Sequence, residues 1–220
     1  PGPQHDTAPV RIGIAHDAAF GFYYPDDIAA LQEAGAELVY FNTLTDPALP
    51  EIDGLFIGGG FPESYLCTLE ANASLRAAIH SAIAAGMPAY AECGGLMYLA
   101  RSLSWNGNRA DMVGVIPADA VMHARPQGRG YVRLRETAGA PWPTDHPEGE
   151  FAAHEFHYSA LENISEPLTY AYEVLRGTGV DGKHDGIVIN NLLACYSHMR
   201  DTKQHHWARR FVEFVRKMRG

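Results

Sequence analysis

The chain has 220 residues, of which 46% are hydrophobic and 20% charged, a composition typical of a globular domain with a sizeable core. Its formal net charge of -9 argues against a protein that binds nucleic acid or an anionic membrane surface. No apolar run approaches the length that spans a membrane. Its three cysteines lack paired spacing, which favours a reduced, cytoplasmic protein over a disulfide framework.

Apolar runs and turn residues predict alternating strands and helices in the first half of the chain. The predicted helices begin at Pro25, after the N-cap residue Asn72 and after Cys93. The predicted strands cover residues 11–15, 37–41, 54–57 and 88–91. Because these strands are apolar throughout, they indicate a parallel sheet that helices cover on both faces.

Short strand-like runs replace this alternation after about residue 105. They cover residues 112–116, 131–135, 151–156, 168–174, 187–189 and 192–197. We expect them to form an antiparallel extension of the same sheet, followed by a last helix capped by Asp201 or Thr202. Residues 1–9 are expected to be a linker or a cloning remnant, and residues 10–220 a single domain.

Cys93 is the candidate nucleophile. It stands in the sequence AECGGL at residues 91–96, between a predicted strand and a predicted helix. Its small neighbours permit the sharp strand-to-helix turn that holds a nucleophile clear of a sheet. We expect the helix N-terminus to favour its thiolate, although most free cysteines are simply small buried residues.

A cysteine nucleophile needs an adjacent base, and three histidines are candidates. His198 directly follows the predicted strand at residues 192–197, so it could reach a nucleophile at the end of another strand. His154 and His157 lie in the sequence HEFHYS at residues 154–159. Position favours His198 but leaves all three open, because the pairing is spatial and not sequential.

The sequence GGGFPE at residues 58–63 follows a predicted strand. It is either a flexible turn or a backbone N–H site for a developing oxyanion. It lacks the Gly-Lys-Ser or Gly-Lys-Thr of a phosphate-binding loop, so we do not expect it to hydrolyse a nucleotide.

The two histidines of HEFHYS, with Glu155, also invite a zinc site that Cys195 or His198 would complete. On a strand, however, positions 154 and 157 face opposite sides. We therefore predict no metal site, and expect a half-buried strand whose polar side meets a cleft.

These motifs occur together and in order, and in this respect the chain resembles the glutamine amidotransferase domain of the cobyrinic acid a,c-diamide synthase family. The resemblance covers about residues 10–218, including the start of the family's domain at residues 15–24 and its middle at Gly130 and Tyr131. It implies an α/β fold of the class I, triad-type glutaminases, with a flavodoxin-like, mostly parallel sheet, helices on both faces and an antiparallel extension.

The resemblance also implies roles for individual residues. Cys93 would attack the carboxamide of glutamine, and His198 would be the general base. Gly60 and Gly94 would donate N–H groups to the oxyanion, with Gly59 in the same substrate-binding loop.

Two positions depart from the wider class I pattern. Arg200 stands two positions after His198, where a glutamate usually completes the triad, and Met97 replaces a glutamine four residues after the nucleophile. Glu155 is a candidate for orienting the histidine, and His157 for orienting it or contacting substrate.

By the same resemblance, ammonia would pass to an ATP-dependent synthetase domain, in the same chain or a separate one, that amidates acetate side chains of a tetrapyrrole acid. ATP and Mg²⁺ would bind there, and no cofactor is expected in this domain. The tetrapyrrole would be cobyrinate or hydrogenobyrinate, with a sirohydrochlorin or sirohaem type as the alternative. Two other hypotheses are a different cysteine hydrolase of similar fold, of the peptidase or glyoxalase type, and a docking module without activity of its own.

Overall fold

The computed structural model describes residues 8–142, 149–202 and 205–220, so most of the predicted linker lies outside the described residues. Within these ranges the strands are β1 (Val10–Ala15), β2 (Phe20–Phe22), β3 (Ala36–Phe41), β4 (Gly54–Ile57), β5 (Gly59–Gly60), β6 (Ala89–Glu92), β7 (Ala100–Trp105), β8 (Asn108–Asp111), β9 (Ile116–Met122), β10 (Gly128–Glu136), β11 (Glu150–His157), β12 (Ser159–Glu162), β13 (Thr169–Arg176), β14 (His184–Ile189) and β15 (Leu192–Cys195). The α-helices are α1 (Pro25–Glu33), α2 (Leu66–Ala71), α3 (Ala73–Ala84), α4 (Gly94–Leu99) and α5 (Trp207–Arg219), and a 3₁₀ turn covers Pro62–Tyr65.

The parallel part of the central sheet has the flavodoxin-like strand order that the family resemblance implies. Its strands lie in the order β3-β1-β4-β6-β15, which is 2-1-3-4-5 when the parallel strands are numbered along the chain. The carboxyl ends of these strands therefore meet at one edge of the sheet. Sheets of this kind bind their ligands at that edge.

The antiparallel extension is also present. The sheet continues from β15 through β14, β13, β10 and β11, with each neighbouring pair antiparallel. The predicted runs at residues 131–135, 151–156, 168–174 and 187–189 overlap these antiparallel strands, whereas the run at 192–197 contains β15, which also pairs in parallel with β6. The sequence analysis did not predict the separate four-stranded sheet, whose strands lie in the order β12-β9-β7-β8. Alternating hydrophobicity shows which face of a strand is buried and does not specify its neighbour.

Helices cover both faces of the central sheet, as predicted. On one face Trp207 and Phe211 of α5, with Leu31 of α1, pack against Phe56 and Tyr90 of the parallel strands. The core on the other face contains α3, α4 and the inner side of the second sheet, through residues that include Leu75, Ile79, Ile83, Leu96, Leu99, Leu103 and Ile116.

The two helix-capping predictions do not hold as they were made. The helix α3 begins directly after Asn72, yet the Asn72 side chain does not cap it and instead donates to the carbonyls of Thr43 and Asp46, both at 2.9 Å. The helix α5 begins later than predicted, at Trp207, although a carboxylate oxygen of Asp201 accepts the Ala208 N–H at 3.2 Å.

The predicted strand at residues 112–116 is also wrong, because β9 begins only at Ile116. The N–H groups of Val113 and Val115 donate to the carbonyls of Tyr98 and Leu99, each at 3.0 Å. This segment therefore satisfies carbonyl groups at the end of α4, where a helix has no partners of its own.

The packing of α4 against β4 depends on Gly95. A Cβ atom at this position would lie 2.8 Å from the carbonyl carbon of Ile57 and closer still to its oxygen. Backbone atoms cannot retreat as a flexible side chain can, so only glycine permits this approach.

We expect Gly95→Ala to lower the free energy of unfolding by about 1–3 kcal/mol, the typical cost of overpacking a core. Equilibrium urea denaturation measures this difference. Gly21→Ala is the matched control, because its added Cβ would meet only the Asp17 carbonyl at an ordinary 3.6 Å, and it should leave stability nearly unchanged. Equal stability of the two variants would contradict the close approach of α4 to β4.

Candidate active site

Cys93 occupies the turn between β6 and α4 in a backbone conformation that residues other than glycine rarely adopt. Its φ is 48° and its ψ is -101°. Its N–H donates to the Cys195 carbonyl at 2.8 Å, and its carbonyl accepts the Met97 N–H at 3.1 Å. A strained residue persists only where its surroundings fix it, and such residues cluster at functional sites. The sharp strand-to-helix turn predicted from the sequence is therefore present.

Two glycine backbones meet beside this turn. A Cβ on Gly94 would lie 2.9 Å from the backbone nitrogen of Gly60, and a Cβ on Gly60 would lie 2.8 Å from the Ala19 carbonyl carbon. Gly60 is held there by the antiparallel pairing of β5 with β2. The backbones of Gly60 and Gly94 therefore lie against each other beside the cysteine turn.

The structure brings Cys93 and His198 to the same cavity. Its volume is about 470 Å³, and Gly59, Gly60 and His154 also line it. The Cys93 Sγ lies 3.6 Å from the Phe156 carbonyl oxygen, to which its S–H donates a weak hydrogen bond. A cavity of this size, with a cysteine and a histidine in its wall, suits a small-molecule substrate.

His198 lies just beyond the end of β15, where its backbone pairs with His154 of β11. The His198 N–H donates to the His154 carbonyl at 2.6 Å, and the His154 N–H donates back at 3.2 Å. The imidazole packs on Gly59, since a Cβ there would lie 3.0 Å from its Cε1. Of the three candidate bases, His157 does not line the cavity, whereas His154 and His198 do.

Cys93 and His198 are both neutral near pH 7. Burial, followed by the carboxylates of Glu92 and Glu63, raises the pKa of the Cys93 thiol to about 12. Burial, followed by His154 and His157, lowers the pKa of His198 to about 4. The N–H of Gly94 at the start of α4 lowers the pKa of Cys93, as expected of a helix N-terminus, but burial and the two carboxylates outweigh it.

Glu155 does not orient His198, which corrects the prediction made for it. Its carboxylate is buried and accepts hydrogen bonds from the N–H groups of Thr178 at 2.7 Å and Gly179 at 3.0 Å, and from Nε2 of His157 at 3.1 Å. Burial raises the pKa of Glu155, but these hydrogen bonds outweigh it and the net pKa is lowered. Glu155 thus holds the loop after β13 and the His157 ring.

His157 is a buried member of this same network. Its Nδ1 donates to the Ser159 carbonyl at 2.8 Å, and its ring stacks on Tyr196 with centroids 3.9 Å apart. Both ring nitrogens therefore face hydrogen-bond acceptors, Nδ1 the Ser159 carbonyl and Nε2 the Glu155 carboxylate. It supports the wall behind the cavity and does not contact its interior.

Two features of the site were missed by the sequence analysis. Phe156 lines the cavity on the same side of β11 as His154, and the alternation of a strand could have identified it. Phe22 and Tyr23 reach the cavity from the short ribbon of β2 and β5, for which the sequence carries no signal. As predicted for a strand, His154 is exposed while His157 is buried.

In the described part of the chain, no group of three or more histidine, cysteine, aspartate or glutamate side chains could hold a metal ion. The helices found there are too short or too polar to cross a lipid bilayer.

Comparison with known proteins agrees with the motifs. Residues 11–204 match the model of the CobB/CobQ-like glutamine amidotransferase domain. The cobyrinate a,c-diamide synthase of Magnetococcus marinus is 45% identical over 208 residues, which cover 94% of this chain and 44% of that protein. The enzyme of the same name from Methanosarcina acetivorans is 42% identical over 227 residues, covering 96% of this chain and 44% of its own length. The chain thus spans less than half the length of these curated relatives.

Solved structures share the fold. PurLQS from Thermotoga maritima superposes with a TM-score of 0.70 at 14% identity, covering 97% of this chain and 100% of that one. A glutamine amidotransferase from the same organism gives a TM-score of 0.59 at 14% identity, covering 86% of this chain and 75% of that one. The strand order, the strained cysteine turn and the match over residues 11–204 thus agree, and the chain belongs to the CobB/CobQ-like glutamine amidotransferase family.

Proposed function

We propose that this domain hydrolyses glutamine, with Cys93 as the nucleophile and His198 as the general base. The observation that carries the proposal is the strained Cys93 turn, which opens into the cavity that His198 also lines. A nucleophile and a base that share one cavity beside adjacent glycine N–H groups are what acyl transfer from a carboxamide requires.

The reaction starts from a neutral thiol and a neutral imidazole. As Sγ of Cys93 attacks the carboxamide carbon of glutamine, His198 takes the thiol proton, because a free thiolate is unfavourable in this buried site. The carboxamide oxygen becomes an oxyanion, to which the N–H groups of Gly60 and Gly94 donate. Each such donor is typically worth about 3 kcal/mol of activation free energy.

The same two side chains complete the cycle. The imidazolium of His198 returns its proton to the leaving nitrogen, the C–N bond breaks, and ammonia and a glutamyl thioester on Cys93 result. Water then gives a proton to His198 and adds to the thioester carbonyl carbon. The C–S bond breaks, Sγ recovers the proton, and glutamate leaves.

Met97 does not contribute to glutamine recognition in this mechanism. It is 3% exposed and belongs to the hydrophobic core, and it does not line the cavity. We place recognition on the polar groups of the cavity wall, among them the side chains of His154 and Tyr24.

The ammonia is proposed to serve an ATP-dependent synthetase domain, where ATP and Mg²⁺ bind and acetate side chains of a tetrapyrrole acid are amidated. Support comes from relatives named cobyrinate a,c-diamide synthase that are more than twice as long as the matched region. Those names favour cobyrinate over hydrogenobyrinate and over a sirohydrochlorin-type acid. The free cysteines Cys67, Cys93 and Cys195 favour a reducing, cytoplasmic compartment.

The mouth of the cavity is the proposed exit toward that synthetase. Exposed aromatic rings surround it, with Phe22 at 57%, Phe61 at 53% and Phe156 at 45% exposure. The Phe22 and Phe61 rings contact each other edge to face, with centroids 5.2 Å apart. Clustered exposed aromatic side chains are typical of surfaces that bind another protein.

We expect Cys93→Ser to lower glutamine-dependent activity by about 10³-fold or more, because a serine hydroxyl is a far weaker nucleophile here. The measurement is product formation by the domain with its synthetase, supplied with glutamine or with ammonium. Ammonium-dependent activity should persist, since it bypasses Cys93. Cys67→Ser, which changes an exposed cysteine, is the control and should retain both activities. Normal glutamine use by Cys93→Ser would refute the assignment.

The pH profile tests the role of His198. Since its pKa is lowered to about 4, the imidazole stays neutral and basic until the pH falls through that value. The acid limb of kcat/KM for glutamine should therefore lie near pH 4 and not near the ordinary imidazole value of about 6.5. Circular dichroism over the same range would separate loss of the base from unfolding.

His154→Asn provides the matched variant for this profile. It removes one of the neighbours that lower the pKa of His198 while leaving the burial that has the largest effect. Its acid limb should move toward higher pH by a small amount. A wild-type limb at the ordinary imidazole value would contradict a buried, neutral His198 as the base.

A further inference from the structure

The backbone on either side of His198 is held by an unusual set of acceptors. Four consecutive N–H groups, of residues 196–199, each find a different acceptor atom. Those of Tyr196 and Ser197 donate to the two carboxylate oxygens of Asp185, at 3.0 and 2.9 Å. That of Met199 donates to Oε2 of Glu92 at 2.7 Å, while His198 itself pairs with the backbone of β11.

Both carboxyl groups are deeply buried. Asp185 is 0% exposed and Glu92 is 3% exposed. In the part of the chain that the structure describes, neither forms an ion pair. Their hydrogen bonds come from backbone N–H groups and, for Glu92, also from the hydroxyl of Tyr90. Burial raises the pKa of each group. Acidic groups without a cation are costly in a protein interior, so a specific role is needed to account for them.

Within the described ranges, no carboxylate contacts the His198 ring. Among the described side chains, none accepts a hydrogen bond from its imidazole, and Glu155 is engaged elsewhere. Arg200, in the place of the usual third triad member, lies over the ring of Tyr24 at 4.7 Å and pairs with Asp26 at 3.6 Å. The orientation of His198 must therefore come through its backbone and its packing on Gly59.

We propose that Asp185 and Glu92 are positioning residues that hold His198 against Cys93 through the backbone, in place of a carboxylate on the imidazole. Glu92 immediately precedes Cys93, so it joins the nucleophile's strand directly to the loop that carries the base. The Cys93 N–H returns a bond to the Cys195 carbonyl at 2.8 Å, and the two segments are thus linked in both directions. This inference rests on the proposed glutaminase function.

The test compares variants that lose these acceptors with one that keeps them. Asp185→Asn replaces one accepting oxygen with an NH₂ group that faces a backbone N–H, and Glu92→Met removes both bonds to Oε2. Each should lower kcat for glutamine hydrolysis about 10- to 100-fold, the effect of a misplaced catalytic group, with KM within about threefold of wild type. A variant that is only partly folded would contain fewer active sites, each with the wild-type kcat. The active sites are therefore counted by titration with a glutamine-analogue electrophile, and kcat is calculated per titrated site.

Glu92→Gln is the matched rescue variant. The Tyr90 hydroxyl at 2.6 Å and the Met199 N–H at 2.7 Å both donate to the same oxygen, Oε2, and one amide oxygen can accept both. Its kcat should stay within about threefold of wild type. If neither loss variant folds, Tyr90→Phe decides, because it removes only the hydroxyl that orients Glu92: a kcat reduced about two- to fivefold supports the proposal.

All assays use the domain together with its proposed synthetase partner. Wild-type kcat in folded Asp185→Asn and Glu92→Met, or in Tyr90→Phe where those do not fold, would overturn the positioning role while leaving the glutaminase function intact. Loss of activity in Glu92→Gln equal to that in Glu92→Met would also overturn it, because the charge and not the acceptor would then matter. Wild-type protein that releases no glutamate would overturn the proposed function itself.

Discussion

The turn at Cys93 constrains the whole carboxyl edge of the central sheet. A non-glycine residue with φ of 48° needs its neighbours fixed, and here they are fixed by backbone against backbone. The Cys93 N–H donates to the Cys195 carbonyl, and the Cys93 carbonyl accepts the Met97 N–H. Gly94 lies against Gly60, and Gly95 lies against Ile57. No side chain can be inserted at these contacts. The cysteine is therefore placed by the packing of four chain segments, and not by the local conformational preference of its own residues.

The electrostatics of the site follow from the same tight packing. Burial raises the pKa of the Cys93 thiol and lowers that of the His198 imidazole, so no thiolate–imidazolium pair stands ready before substrate binds. Because the thiolate is the reactive form of cysteine, we expect such a site to react slowly with adventitious electrophiles. In the proposed mechanism, transfer of the thiol proton to His198 accompanies the attack of Sγ on carbon, which is the role of a general base. The neutral resting state is consistent with the proposed glutaminase, whose ammonia is proposed to serve a synthetase.

The departures from the wider class I pattern have a common structural explanation. Arg200 packs on Tyr24 at the surface, and Met97 is buried in the core. Neither side chain lines the cavity, so neither can replace the glutamate or glutamine that usually stands at its position. The fold is nevertheless shared with glutamine amidotransferases at 14% identity, because it is specified by strand order and glycine contacts more than by these side chains. Asp185 and Glu92 accept hydrogen bonds from backbone N–H groups of the loop at His198. Because this proposed support acts through the backbone, it does not require a particular side chain two positions after His198.

The sequence by itself determined the period of each early strand and helix, the turn at Cys93 and the order of the motifs, because these depend on neighbours close along the chain. It also determined that His154 and His157 lie on opposite sides of β11, since a strand alternates its side chains. Only the tertiary structure decided that β9 and β12 form a second sheet, that Glu155 binds His157, and that Cys93 is buried to the point of neutrality. Packing across the fold determines which strands pair and which groups lose contact with water. It also brings together residues far apart in the chain, such as Glu92 and Met199, which are 107 positions apart. Local sequence does not encode these contacts. The proposed support of His198 by Asp185 and Glu92 could therefore be identified only from the tertiary structure.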